Sequence, residues 1–312
     1  MRTIISIAMN PSIDKSANVE RVIVERKLYC TSPASEPGGG GVNVSRAIKK
    51  LGGESKLLYP SGGIVGQLLN DLLEKENIGH QPIPITGMTR ESLIFYEEST
   101  GLQYRFGMPG PVMREEEWQK CLEALKNVEP KPDYIVASGS LPSGVPVDFY
   151  ARVAQIGKAK GVKVIVDAPS ENLKPALREG VYLIKPNIRE FKELFNGEIK
   201  EEPQIKEKAC ELVKTRQSEI VVLSLGAAGV IAAFDETVEH IVPPTVPVIS
   251  KVGAGDSMVA GIVLSLAKGM PVPNAIRFGV AAGTAAVMTP GTELCRREDT
   301  ERLYKEMDSV SA

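Results

Sequence analysis

Short runs of apolar residues recur along the chain, and most of them close on a polar residue or a glycine. Thr3 to Met9 is the first, ended by Asn10-Pro11, and reads as a buried strand entering a turn. From Asp133 onward the pattern becomes regular. Tyr134 to Ala137, Lys163 to Asp167, Tyr182 to Lys185 and Ile220 to Leu225 are β-rich runs, with helical periodicity near 147–160, 171–178, 187–195 and 203–216 between them. Strands alternating with helices predict right-handed crossovers and a mainly parallel sheet covered on both faces. The N-terminal part adds a helix on the spacing Val42, Val44, Ala47, Ile48 and Leu51, stopped by Gly52-Gly53. A strand over Lys56 to Tyr59 and a helix over Gln67 to Glu76 follow. Helices over Ser257 to Lys268, Asn274 to Met288 and near 298–307 end the chain, and Ala281-Ala-Gly-Thr-Ala-Ala286 permits close packing of one of them.

Two stretches depart from this rhythm. Asn18 to Val24 and on to Tyr29 alternates with polar residues and reads as exposed strands. Arg90 to Glu98 and Leu102 to Gly107, joined by Ser99-Thr-Gly101, read as a hairpin of mixed polarity. Residues 12–34 and 88–107 together predict a small sheet with one wet face, placed as a lid over the main body. Pro37-Gly-Gly-Gly-Gly41 lies between them. Four glycines are costly in a strand or helix and predict a loop where backbone approaches something closely. Trp118, after Glu115-Glu-Glu, reads as a helix residue with one face on the core.

Composition excludes several function classes. A 312-residue chain with 43% hydrophobic and 24% charged residues is an ordinary globular sequence, long enough for a large core. A net charge of −2 gives no general attraction to nucleic acid or an anionic membrane, so the expected partner is small. Cys30, Cys121, Cys210 and Cys295 form no CxxC pair, which argues against a zinc site or disulfide framework and for a reducing cytoplasm. Two histidines, His80 and His240, are too few for a His-metal cluster and read as surface residues. No apolar run approaches the roughly 18 residues of a membrane span, and Thr3 to Ala8 lacks the flanks of a signal peptide.

Chemistry-bearing residues cluster at the ends of apolar runs. In a parallel sheet those ends share one edge, where Asn10-Pro-Ser-Ile-Asp14, Ser138-Gly-Ser140, Lys185-Pro-Asn187, Ser224-Leu-Gly226 and Val252-Gly-Ala-Gly-Asp256 would meet. The last is the sharpest. Gly253 and Gly255 let backbone N–H groups converge on an anion at a helix start, with Asp256 beside them to take a proton from an attacking hydroxyl. The same Asp256 equally reads as a helix N-cap. Asn187 and Glu190 lie one helical turn apart, as a hydrated Mg²⁺ would need or as a capping box would place them. Ser224 to Gly229 serves as a floor for nucleotide phosphates or as a plain hairpin loop; no Walker lysine, HRD or DFG accompanies it. Lys27, Arg90 and Arg105 in the small sheet offer charge for a phosphate or are surface charges.

Taken together, the quoted motifs resemble those of the PfkB carbohydrate kinases of the ribokinase-like fold, over nearly the whole chain. Within that family, Lys27-Leu-Tyr-Cys-Thr31, Glu36 to Val44, Gln103-Tyr-Arg-Phe106, Val252 to Met258 and Arg277 to Gly283 resemble a branch that phosphorylates fructose 6-phosphate at C1. Tagatose-6-phosphate and fructose-1-phosphate kinases are its near relatives, and a non-catalytic sugar-phosphate sensor is the reading from another class. The resemblance implies one kinase domain over 1–312, with Asp256 as base and Gly253, Ala254 and Gly255 as the anion hole. It implies sugar-phosphate contacts from Asp14, Gly39, Gly40, Asn43, Arg90, Arg105 and Ser140. ATP would lie against Lys185, Asn187, Ser224, Gly226, Gly229, Val280, Gly283 and Thr284, with Mg²⁺ organised by Glu190 through water. A second, inhibitory ATP near Lys27, a potassium ion near Ser250, Val252, Ala286 and Gly291, and a homodimer formed by the lid sheets are implied as well. Pro290 and Glu293 depart from the family pattern around that ion.

Overall fold

The computed structural model describes residues 2–199 and 201–310. In chain order its strands are β1 (Ile4–Ile7), β2 (Ser12–Val19), β3 (Thr31–Gly38), β4 (Lys56–Ser61), β5 (Gly79–Pro84), β6 (Arg90–Glu97) and β7 (Leu102–Gly107). They continue with β8 (Tyr134–Ser138), β9 (Lys163–Asp167), β10 (Val181–Ile184), β11 (Ser218–Ser224), β12 (Val230–Phe234) and β13 (Thr237–Ile241). The helices are α1 (Gly40–Lys50), α2 (Gly63–Lys75), α3 (Glu115–Lys126), α4 (Phe149–Lys160), α5 (Ser170–Glu179), α6 (Ile188–Leu194), α7 (Glu202–Lys214), α8 (Ala254–Ala267), α9 (Val272–Val287) and α10 (Arg297–Val310).

Nine strands form the large sheet in the order β13-β12-β11-β10-β9-β8-β1-β4-β5, parallel from β11 to β5 and antiparallel at β12 and β13. Its continuous apolar runs are explained by burial on both sides. Ile5, Ile7, Ile135, Ala137, Val221 and Leu223 face one core with Trp118, Phe149 and Phe191. Their chain neighbours Ile4, Tyr134, Val136, Ile220 and Val222 face the other, against α1, α8, α9 and α10. The small-residue stretch of α9 packs closely on α8: a Cβ on Gly261 would lie 3.0 Å from Ala282 Cβ. Among the described residues no helix is long and apolar enough to cross a membrane.

The second sheet has the order β3-β2-β6-β7. It lies where the two irregular stretches predict it, with different strand bounds. Residues 20–30 are not strands; Val22, Ile23 and Val24 are exposed in a connecting segment, and the alternation there reflects an uncovered apolar surface. The missing strand is β3, Thr31-Ser-Pro-Ala-Ser-Glu-Pro-Gly38, whose prolines are tolerated because it forms the sheet's edge. β5, with Pro82 and Pro84, escapes the pattern for the same reason at the edge of the large sheet.

The glycine run is not a loop. Gly38 ends β3, Gly39 turns at φ 98°, and Gly40 and Gly41 begin α1. The close approach is real: a Cβ on Gly40 would lie 2.6 Å from Ser138 Oγ, and one on Gly41 would lie 2.6 Å from Ile7 O. These glycines let α1 press its first turn onto the ends of β1 and β8. His80 is also not a plain surface residue, since its Nδ1 lies 2.7 Å from the hydroxyl of buried Tyr59. His240 is exposed.

Candidate active site

A cavity of about 430 Å³ lies between the carboxyl edge of the large sheet and the small sheet. Asp14, Arg90 and Arg105 reach it from β2, β6 and β7; Gly39, Gly40 and Asn43 from the start of α1; Ser140 from beyond β8; Val252, Gly253 and Asp256 from the start of α8. Residues from near the start of the chain to the start of α8 thus share one space, because parallel strands end on one side.

The start of α8 decides between the two readings of Asp256. Gly253 is the N-cap in a left-handed conformation, φ 75°, so Ala254, Gly255 and Asp256 are the first three helical residues. Their N–H groups have no acceptor inside the helix and are free for an anion. Asp256 caps nothing, and its Oδ2 accepts a hydrogen bond from Asn43 Nδ2 at 2.9 Å. Lys185 reaches the same turn: its Nζ lies 3.1 Å from the point a Cβ on Gly255 would occupy. That ammonium pairs with Asp167 Oδ1 at 3.2 Å, the two side chains being only 7% and 14% exposed.

Burial pushes the Asp256 carboxyl up to about 6, helped by the charge of Asp167 and opposed by the Asn43 hydrogen bond and by Lys185. Asp14 is raised by burial as well, against the Ser12 hydroxyl and the nearby arginines. Burial alone would lower Lys185, but Asp167 and Asp256 outweigh it and keep the ammonium charged. A base at 256 accepts a proton only when ionised, so kcat/KM is expected to fall about tenfold per pH unit on the acid side of that value. Asp167→Asn removes a neighbouring negative charge and is expected to move the acid limb of a pH–rate profile downward; a limb that moves upward or stays put would separate it from Asp256.

Of the two arginines, Arg90 is already engaged. Its Nε and Nη2 donate to Asn10 O at 3.2 and 3.1 Å and its Nη1 to Ser92 Oγ at 3.0 Å. Arg105 is exposed at the cavity, and among the described residues no hydrogen bond or ion pair holds it. Asn10 Nδ2 also donates to Ser140 Oγ at 3.1 Å.

Beyond the end of β10, Asn187 forms an isolated parallel bridge with Ser224 at the end of β11, with Ser224 N donating to Pro186 O at 3.0 Å. The capping box is present: Asn187 Oδ1 accepts from the Arg189 and Glu190 N–H groups, and Glu190 Oε2 accepts from Asn187 N at 2.9 Å. Glu190 is nonetheless raised, by burial first and by the charge of Asp167. The Asn187 hydrogen bond and the charges of Lys185 and Arg189 offset that rise only in part, and a hydrated divalent cation beside the carboxylate would offset more of it. Residues 225–229 form the hairpin turn between β11 and β12, and Gly226 stands open to solvent. Val280, Gly283 and Thr284 lie in the seam behind the α8 start: Val280 is buried, the Thr284 hydroxyl donates to Val280 O, and a Cβ on Gly283 would lie 3.0 Å from Ala254 O. Ser250 Oγ donates to Gly291 O at 2.9 Å, while Ala286 O accepts the Thr289 hydroxyl; Val252 is buried between them and the cavity. Lys27 is outside the cavity, its ammonium 5.2 Å from the centre of the Tyr29 ring.

Asp167 is the site residue the motifs miss. It closes an apolar run in the way Lys185 does, so the strand-end rule already contains it.

Free amides at a helix start, set beside a carboxylate of raised basicity, serve phosphoryl transfer to an alcohol. The model of the pfkB family carbohydrate kinases matches residues 3–299. The chain is 39% identical over 302 residues to the ATP-dependent 6-phosphofructokinase isozyme 2 of Mycobacterium tuberculosis, covering 97% of this chain and 89% of that one. It is 38% identical over 305 residues to the protein of the same name from Escherichia coli, covering 97% and 98%. Among solved structures, phosphofructokinase-2 from Escherichia coli in complex with fructose-6-phosphate superposes with a TM-score of 0.93 at 37% identity, and its complex with potassium with 0.94 at 38%; each comparison covers 99% of this chain and 100% of the other. The chain belongs to the pfkB family of carbohydrate kinases, and its fold is the ribokinase-like one.

Proposed function

We propose that the chain is an ATP-dependent 6-phosphofructokinase, transferring the γ-phosphoryl group of ATP to the C1 hydroxyl of fructose 6-phosphate. The observation that carries this reading is a cavity lined by both Asp256 and Arg105, the latter exposed and, among the described residues, held by no hydrogen bond or ion pair. A phosphosugar presents a hydroxyl at one end and a dianion at the other, and the cavity is lined by both a carboxylate and a guanidinium. Asp14, Asn43 and the Gly39-Gly40 backbone hold the ring hydroxyls, while Arg90, tied to Asn10, Ser92 and Met108, shapes the wall.

In the reaction the C1 oxygen bonds to the γ-phosphorus as the bridging bond to ADP breaks, and the hydroxyl proton goes to Asp256. The transition state is loose, so positioning and charge stabilisation dominate. The amides of Ala254 and Gly255 and the Lys185 ammonium meet the charge on the transferring group. Asn187, Ser224, Gly226 and Gly229 border the nucleotide, with Val280, Gly283 and Thr284 supplying shape. Mg²⁺ bound with the phosphates, held by Glu190 through water, would offset their charge. A potassium ion among the carbonyls of the joined 250–252 and 286–291 segments belongs to the same proposal, as does a second ATP beside Lys27.

Arg105→Ala is expected to raise KM for fructose 6-phosphate about 10- to 100-fold with little change in kcat, the worth of a charge-assisted phosphate contact. A panel of fructose 6-phosphate, tagatose 6-phosphate, fructose 1-phosphate and free fructose at fixed MgATP tests the substrate. Free fructose turning over as well as the phosphosugars would remove the phosphate from the account.

The small sheet keeps uncovered surface away from the cavity: Thr31 to Ser35 are exposed along β3, as is Leu102 on β7. Two copies clasped through this sheet would bury that surface, and sedimentation equilibrium is expected to give a dimer that Leu102→Glu weakens. Its four unpaired thiols suit a reducing cytoplasm.

A further inference from the structure

Arg46 is the most deeply buried charge that the reaction does not use. It is 2% exposed on α1, one turn after Asn43, and all five of its N–H donors are matched. Nε and Nη2 bind the two oxygens of Glu76 at 2.8 and 2.7 Å, Nη1 binds Pro37 O at 2.9 Å and Thr292 O at 3.1 Å, and Nη2 binds Glu36 at 3.2 Å. The Thr292 hydroxyl donates to the other oxygen of Glu36. The acceptors belong to different segments. Pro37 enters the glycine run that starts α1, and Glu36 is the register partner of Asp14 across β2 and β3. Thr292 follows Gly291, whose carbonyl takes the Ser250 hydroxyl just before the Gly253 turn.

We propose that Arg46 is a positioning residue for phosphoryl transfer: through Glu36 and the Pro37 and Thr292 carbonyls it locks the small sheet, the start of α1 and the 289–293 turn in the arrangement that brings Asp14, Asn43 and Asp256 around the sugar. A lysine could not do this, because one ammonium cannot satisfy five acceptors spread over a planar fork. The substrate named rests on the reading above; the mechanical claim does not.

Glu36 and Glu76 provide a matched test, since both bind the same guanidinium. Glu76 holds two of the five bonds and leads only to the end of α2; Glu36 holds one and leads to the site. A purely structural Arg46 predicts that Glu76→Ala is the more damaging change in every respect. Positioning predicts that Glu76→Ala lowers the melting temperature more but keeps kcat within about threefold. Glu36→Ala should lower kcat about 100-fold, the scale of a reacting group displaced by about 1 Å. More ATP should then be hydrolysed per sugar phosphorylated, as the site admits water. Backbone amide exchange across residues 249–257 is expected to speed about tenfold in Glu36→Ala and to stay at the wild-type rate in Glu76→Ala. Unchanged turnover and exchange in Glu36→Ala, or equal effects from both variants, overturn the proposal. A wild-type protein that phosphorylates no sugar phosphate sinks the substrate reading alone, and the exchange comparison still decides the positioning claim.

Discussion

Asp256→Asn is expected to lower kcat by about three orders of magnitude or more while leaving the KM for ATP within about threefold. The change keeps the volume and one acceptor oxygen, so the Asn43 contact and the first turn of α8 survive; what is lost is the group that can take the hydroxyl proton. General base catalysis contributes about 10²- to 10⁴-fold, and a neutral amide cannot accept the proton that the attacking hydroxyl must lose. The raised position of the carboxyl, about 6, places its proton affinity close to neutral pH, where a base both exists ionised and binds a proton well. Steady-state kinetics with nucleotide binding measured separately are the check. Full turnover in Asp256→Asn would move the base elsewhere.

Lys185→Met combines a catalytic and a structural loss, and the two can be separated. Its ammonium lies against Gly255 and pairs with Asp167. Removing it takes away a cation next to the free amides, which is expected to lower kcat about 10²- to 10³-fold. It also leaves Asp167 buried without a partner, at a cost of about 3–5 kcal/mol if the carboxylate stays charged. Replacing both partners, Lys185→Met with Asp167→Leu, is expected to restore much of the melting temperature, since apolar pairs often substitute for buried ion pairs. It should restore none of the turnover. Recovery of kcat in the double variant would assign Lys185 to stability alone.

Much of the site is legible because of where its residues fall relative to apolar runs. Asn10, Ser138, Lys185 and Ser224 each close or follow an apolar run whose burial forces it into a strand, and parallel strands carry their ends to one edge. Asp256 does not follow a strand as the pattern suggests: residues 242–253 are irregular, and it reaches that edge in the first turn of α8. Where an edge strand is broken by prolines, the signal fails, although the edge strand β7 is read from its alternation alone. β3 and β5 contain prolines and polar residues because one side of each makes no ladder, so neither announces itself. The apolar Val22 to Val24 segment misleads in the opposite sense, since its residues are exposed and no strand forms.

The glycine run shows the limit of local reasoning. Its composition demands close backbone approach, and Ile7 and Ser138 are what it approaches; that two of the four glycines are helical depends on contacts roughly 35 and 100 residues away, which no local propensity contains. Arg46 carries the same lesson. On the helical pattern it is one more charged residue after Asn43-Val-Ser, and only the assembly of β3, α2 and the 289–293 turn makes it a buried hub.

Periodicity and motif order by themselves determined the layered α/β architecture, the existence of a separate small sheet and the edge at which polar residues gather, because those follow from burial and strand direction. The tertiary structure alone decided that Asp256 caps nothing and instead faces Asn43, that Asp167 and Lys185 pair beneath Gly255, and that Arg90 is occupied while Arg105 is not. Such choices depend on distances between segments far apart in the chain, and charges acquire their basicity and partners only once those segments have excluded water around them.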